Sequence, residues 1–401
     1  LYGDQQADYL LVNRGSKIEA TGTLSNPIVF TGKTSIEGTA DNTSSGLWGG
    51  LSILGKGKMN WCKYTSGIRN TPCENNAIGT NKKMGGEINT DNSGTLKYVR
   101  IEYAGQTGID GADIDELAGL TLGAVGNQTT IDYVQVYNSE DDCVRVWGGD
   151  VDIKHFICSG ADDDGFDINK GYTGRMQFIV ATHRKYDSSS QITDNCFNLS
   201  EPCTDAKVGW YLMLLQNVLN DENKYYDETL SEFYLTEPRT NPKISNFTFI
   251  SSRNYQSINL FKGGSGQFKN GILYSYTSDL GSKCLYDGGA EEFVDAVSTP
   301  KPTFKSTYID CISGPGIWSS SNQTLVKEAA NNNVFNSVWG GSYSNTMSGL
   351  VPGENESGAI TTNNEDNEDN FFVNTSYVGA VENELDNWYK NWTVPGSLDF
   401  N

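Results

Sequence analysis

Two acidic runs hold the densest reactive groups in the chain: Glu140-Asp141-Asp142 and Asp162-Asp163-Asp164, with Asp167 just beyond. They stand 22 residues apart. Carboxylates gathered at short range repel, and each raises the other's pKa. A hard cation relieves that repulsion, and Ca²⁺ takes roughly six to eight oxygens in flexible geometry. Glu140, Asp141, Asp142, Asp162, Asp163, Asp164 and Asp167 are therefore the candidate metal ligands, with calcium the expected ion. Asp110, Asp113, Asp115 and Glu116 could reach the same edge. Two plainer readings compete. Turns carry Asp for geometry and solvation, or the runs pair with Arg145, Lys170, Arg184 or Lys185. A carboxylate pair also suits glycoside hydrolysis, one acting as acid and one as base or nucleophile. Asp141, Asp142, Asp163 and Asp164 are the alternative catalytic residues. A polysaccharide lyase would use calcium to acidify a uronate α-proton, with Lys154, Lys170, Arg175 or Arg184 as base. No spacing singles one out.

Other chemistry is sparse. Of the two histidines, His155 falls at an inward-facing strand position, which reads as a satisfied core residue. His183 lies in Thr182-His183-Arg184-Lys185, a basic turn that balances the acidic coils. No nucleophile elbow, phosphate loop or dinucleotide fingerprint occurs. Trp61, Trp147 and Trp318 are candidate sugar-stacking platforms. Trp48 and Trp147 sit beside Gly-Gly pairs, where packing over a corner serves equally. The eight cysteines include no closely spaced pair, so structural zinc is not expected. Successive pairing, 62–73, 143–158, 196–203 and 284–311, is the simplest disulfide arrangement, with buried thiols the alternative. Disulfides and an acidic, Asn/Ser/Thr-rich surface suit an oxidising exterior. Asn246-Phe247-Thr248 and Asn322-Gln323-Thr324 match the glycan-acceptor pattern of eukaryotes.

The elements that position these groups are short strands. Thr130 to Val136 repeats as Val151 to Ile157, so Ile131 falls on Ile153. The same shift lays Val144 on Phe166, Val146 on Ile168 and one acidic run on the other. Arg175 to Val180 follows at about that period, and Thr95 to Ile101 opens an earlier unit in which Leu120 takes the place of Val144. Pro242 to Phe249, Gln267 to Leu273 and Thr303 to Ile309 continue the series. A period in the low twenties without helices marks a solenoid. The leucine-rich frame is missing, so an all-β, right-handed parallel β-helix is expected, a single-stranded solenoid with an inserted excursion and a C-terminal cap. Alternation turns Ile131/Tyr133 and Ile153/His155 inward. Residues 1–401 read as one domain: N-terminal coils over 1–186, the excursion over 187–240, C-terminal coils over 241–350, and an acidic loop and cap over 351–401. Within the excursion, the apolar run from Val208 to Leu219 reads as a strand or short helix.

Composition narrows the class. The 401 residues carry a formal charge of −21, which repels nucleic acid. No apolar run reaches the roughly 18 residues of a membrane-spanning helix. The chain opens at Leu1 in strand-like sequence, which reads as processed or trimmed.

Asp8 to Ile18 with Gly22-Thr23 and Asn26 to Thr31, then Gly46 to Gly55, Asn92 to Gly105, the Asp-rich coils, and Val378-Gly379-Ala380 with Trp388 and Trp392 resemble the bacterial secreted right-handed β-helix proteins. The resemblance covers most of the chain apart from 187–240. It implies a secreted or cell-surface location, outer-membrane-associated in a bacterium and often lipoprotein-anchored. It implies no settled activity. The two Asp runs are also similar to catalytic runs of polygalacturonase-type hydrolases. They stand in the opposite order, without the Gly-His-Gly and Arg-x-Lys of those enzymes. The leading expectation is a non-enzymatic surface protein, an adhesin, glycan-binding module or envelope component. Its partner is an acidic or neutral polysaccharide or another surface protein. A calcium-dependent polysaccharide-degrading enzyme and an end-to-end self-assembling filament subunit are the alternatives.

Overall fold

The computed structural model describes residues 1–65, 68–77, 82–106, 117–183, 213–216, 236–251, 257–261, 263–275, 284–287, 301–311, 320–363 and 370–398. Among these the chain forms a parallel β-helix of two long sheets, one of eleven strands and one of eight. The first is built on seven strands of 8–10 residues, from Gly94–Glu102 to Thr303–Asp310. The second stacks strands of three to five residues, among them Gly50–Leu54, Leu120–Gly123, Val144–Trp147 and Phe166–Asn169. Every pairing along both sheets is parallel, each coil lying on the next at about 4.8 Å. The register is the one the 22-residue repeat dictates: Ile131 pairs with Ile153, Val144 with Phe166 and Val146 with Ile168. Leu120 pairs with Val144. Inward side chains stack into one continuous core, in which Ile131, Ile153, Met176, Ile244, Phe268 and Phe304 form one column.

The 187–240 excursion contributes the short strand of the coil that Arg175–Thr182 opens. Met213–Gln216 pairs with Phe166–Asn169 on one side and with Ile258–Phe261 on the other. The described part of the apolar run, Met213–Gln216, is therefore a strand. Cys62–Cys73, Cys143–Cys158 and Cys284–Cys311 are disulfides, in the successive pattern expected. Cys196 and Cys203 lie outside the described residues, as do Asp110, Asp113, Asp115, Glu116, Arg184, Lys185 and Trp318. No helix among the described residues is long and apolar enough to cross a membrane.

Simple alternation fails in the middle of the long strands. Tyr98, Tyr133, His155, Phe178, Asn246, Asn270 and Ser306 occupy one position of successive coils, and all have φ between 47° and 60°. A left-handed residue turns the chain, so the next residue rather than the next but one faces the core. Val134 and Phe156 are buried there. Tyr133 and His155 thus project from a corner instead of pointing inward. His155 is not a core histidine: its Nδ1 lies 2.8 Å from Asp132 Oδ1, and its ring stacks between Tyr133 and Phe178 with centroids at 4.2 and 4.9 Å.

Such a conformation costs an L-residue about 1–2 kcal/mol, and here it recurs in seven coils. The C-terminal segment supplies compensating contacts. Asn246 Nδ2 donates to Thr375 Oγ1 and to the Tyr377 and Gly379 carbonyls, and Asn270 Nδ2 to the Thr362 carbonyl. Asn246 is fully buried, which removes it as a glycan acceptor in the folded chain. Trp388 meets His155 edge-on at 5.0 Å, and Trp392 meets Tyr98 and Tyr133 edge-on at 6.1 Å each. The tail folds back, but it lies lengthwise along the flank of the coils. Its acidic stretch is not solvated throughout, because buried Glu356 accepts from Tyr343 Oη, from Thr346 N–H and Oγ1 and from Gly353 N–H. The eleven-stranded sheet tapers to two-residue strands, Tyr2–Gly3 and Val334–Phe335, which blunts its edges against end-to-end stacking.

Trp392 has no exposed surface. Trp392→Ala should lower unfolding free energy by about 3–5 kcal/mol, the range for a buried aromatic. Denaturant titration checks this; a loss below about 1 kcal/mol would show that the flank segment adds little to the coils.

Candidate functional site

The two acidic runs lie where the long strands Thr130–Ser139 and Ile153–Ala161 end and the short strands Val144–Trp147 and Phe166–Asn169 begin. Stacking puts them side by side on one edge. Three of the expected ligands converge there: Asp141, Asp142 and Asp163 each offer an oxygen, and these oxygens all lie within 4.8 Å of one another. Asp141 and Asp142 are buried and Asp163 is half-buried.

The other four lie outside that trio of converging oxygens. Glu140 accepts a hydrogen bond from Gln6 Nε2, and Asp162 Oδ2 accepts from Ser45 Oγ at 2.9 Å. The backbone N–H of Asp164 donates to Asp142 Oδ1 at 3.0 Å, and Asp164 itself is buried. Asp167 accepts two bonds from Asn169 Nδ2, both 3.0 Å.

Arg145 is the centre of the arrangement. It stands on Val144–Trp147 as the lateral partner of Asp167. Its Nη2 lies 3.0 Å from Asp141 and 2.7 Å from Asp142, and its Nε lies 2.8 Å from Asp142 and 3.3 Å from Asp167. One guanidinium therefore faces three carboxylates, with 8% of its side chain exposed. Burial pushes the Asp142 carboxyl well above its ordinary range. Arg145 opposes that shift, while Asp141 and Asp167 add to it. Arg145 is one of the four candidate partners read from the sequence and does pair with the acidic runs; Arg184 and Lys185 lie outside the described residues.

Of the bases considered for a lyase, Arg184 lies outside the described residues, and the other three have partners of their own. Lys154 Nζ donates to the Phe371 carbonyl at 2.6 Å, and Arg175 Nε donates to Asp152 at 2.9 Å. Lys170 is fully buried, its Nζ 3.9 Å from the Trp61 ring centre and 3.7 Å from that of Trp147. Trp61 and Trp147 are thereby corrected from sugar platforms to the walls of a cation–π pocket, both about 3% exposed. Trp48 is buried, its Nε1 donating to the Glu102 carbonyl. His183 is buried too, with Nδ1 at 3.3 Å from Ser251 Oγ. Gln6 and Ser45 carried no signal in sequence, because they lie 134 and 117 residues from the carboxylates they meet.

A family model described as a pectate-lyase-like beta helix domain matches residues 2–284. No curated protein matches the chain, and no solved structure matches it.

Removing one member of a buried ion cluster strands the others, at a cost of about 3–5 kcal/mol. Arg145→Gln should lose that much at pH 7. A carboxyl with a raised folded-state pKa makes stability increase as pH falls through that value, so the deficit should shrink at pH 5. Denaturant unfolding at both pH values checks this, and an equal loss at both refutes the electrostatic account. Asp150 provides a milder case. Burial and then Asp152 push its carboxyl from 3.8 to about 6. Asp150→Asn should raise the melting temperature at pH 8 and flatten its rise between about pH 6 and pH 4. A melting profile parallel to that of the parent protein would contradict this.

Proposed function

Since the chain belongs to the pectate-lyase-like beta helix domain family, we propose that it is an extracellular or cell-surface protein that binds polysaccharide without cleaving it. The carrying observation is the state of the acidic edge. Glycoside hydrolysis needs one carboxyl to deliver a proton and another to act as base or nucleophile on a bound sugar. Asp141 and Asp142 are each 1% exposed and share Arg145, so neither presents its carboxyl to an incoming sugar. Disulfides and parallel coils suit a protein outside the cell, as in the exported bacterial β-helix proteins it resembles. A long solenoid flank offers an extended binding face. In a screen of neutral and acidic polysaccharides we expect retention without release of oligosaccharides. Cleavage that Asp163→Asn abolishes would overturn the non-enzymatic reading in favour of a calcium-dependent polysaccharide-degrading enzyme.

Calcium at Asp141, Asp142 and Asp163 is a second reading, favoured by the convergence of their oxygens within 4.8 Å. Arg145 already supplies counter-charge to two of them. An ion that binds only the folded coils stabilises by mass action, about 2.7 kcal/mol at one hundred times its dissociation constant. The melting temperature should then rise in millimolar Ca²⁺ and fall in Asp163→Asn. Equal melting in Ca²⁺ and in chelator would reject calcium.

A further inference from the structure

Two turns far apart in the chain carry opposite charge around an exposed apolar tip. The first belongs to the segment over residues 55–88, which packs one side against Trp147 through Met59, Trp61 and Met84. That segment has six cations to two acids, in a chain of net charge −21. Away from the packed side, Ile88 is 50% exposed and lies beside Lys56 and Lys58. The backbone fixes this arrangement: Ile88 N–H donates to the Lys56 carbonyl at 2.8 Å, and Lys58 N–H to Asn89 Oδ1 at 3.0 Å. The neighbouring acid, Glu87, has its Oε1 on the Cys73 N–H at 3.4 Å.

The second turn lies in the flank segment, where residues 351–401 have ten acids to one lysine. Leu385 is 89% exposed, more than any other large hydrophobic among the described residues, and Glu382 and Glu384 are exposed beside it. This turn is fixed too. Asp386 Oδ2 accepts from Glu382 N–H at 2.8 Å, and Asn383 Oδ1 accepts from Leu385 N–H at 2.9 Å. A single exposed leucine or isoleucine is ordinary on a surface. Here each sits among like charges, and the two sets are of opposite sign. Each turn is held by its own hydrogen bonds, so docking costs little ordering. Opposite potentials also steer an encounter and set its register. Both tips stay exposed, so they do not cover each other within one chain.

We propose that these turns join two copies of this chain: Leu385 of one copy, with Glu382 and Glu384, docks against Ile88 of a second copy, with Lys56 and Lys58. Each copy carries both turns. Two copies therefore either close as a pair with the contact made twice or continue as an open series. The contact is lateral and leaves the sheet edges at the ends of the solenoid unused. Two tips make a small contact, so the association is of the weak class that buries under roughly 1,200 Å². It goes beyond the polysaccharide-binding reading and does not depend on it.

The test is sedimentation equilibrium of the whole chain at rising concentration. The average mass should rise with concentration and return to that of one chain in high salt, which screens exposed charges. Lys56→Glu/Lys58→Glu and Glu382→Lys/Glu384→Lys should each weaken association about tenfold or more. An equimolar mixture of the two variants should restore it, because each then meets the sign it lacks. Leu385→Ser should also weaken it, with no charge changed, and stands alone if a charge-reversed variant folds poorly. A chain that stays single at every concentration overturns the proposal. So does association that neither reversal nor Leu385→Ser weakens, or a mixture of folded variants that fails to restore it. Sedimentation of single chains with phosphatidylglycerol vesicles, abolished in Lys56→Glu/Lys58→Glu, overturns it in favour of an anionic lipid surface.

Discussion

Everything in this molecule follows from a single constraint: each residue lies directly on its counterpart in the next coil, at the spacing of two hydrogen-bonded strands. For apolar residues the constraint is favourable, because like packs on like without a seam, as in the column from Ile131 to Phe304. For charged or strained residues it multiplies the cost coil by coil. The chain answers in three ways. It alternates sign, as in Lys97, Asp132 and Lys154. It inserts one cation among several anions, as Arg145 does among Asp141, Asp142 and Asp167. It lays a second segment over the repeated left-handed corner.

The repeat was legible where two coils follow without insertion. Ile131 and Ile153, like Val144 and Phe166, are 22 residues apart and are true lateral partners. Farther on, Met176 pairs with Ile244 across 68 residues, and no period survives such an excursion. The strand at Met213–Gln216 could be suspected from its apolar run, while its partners could not. Tyr133 and His155 were misplaced for a physical reason. Alternation assumes an unbroken extended strand, and one residue with positive φ resets the phase. Nothing in a tyrosine or histidine announces that conformation; Asn246 and Asn270, which tolerate it better, are the weaker hint.

The acidic edge was half legible. Proximity of the two runs followed from the register, and Asp141, Asp142 and Asp163 do converge. The fate of Glu140 and Asp162 depended on Gln6 and Ser45, which the fold brings from the first coils. The tryptophans were legible as large surfaces only. Their use against Lys170 required knowing that residues 59–62 pack over the sheet beside Trp147.

A bare solenoid is a one-dimensional stack, able to grow or fray from either end one unit at a time, because each unit touches only its neighbours. The tail changes that. Thr362 is held at the coils of Asn270 and Ser306, whereas Trp392 rests on Tyr98 and Val394 donates its N–H to Gln135. These residues thus bind coils that lie 259 residues earlier in the chain. Coils can assemble as they are made, but the flank closes only once the segment through Val394 is present. Closure then ties the two halves of the stack lengthwise, so that pulling one coil away must also break contacts far down the axis: a row of separable units acquires the mechanics of a laced bundle.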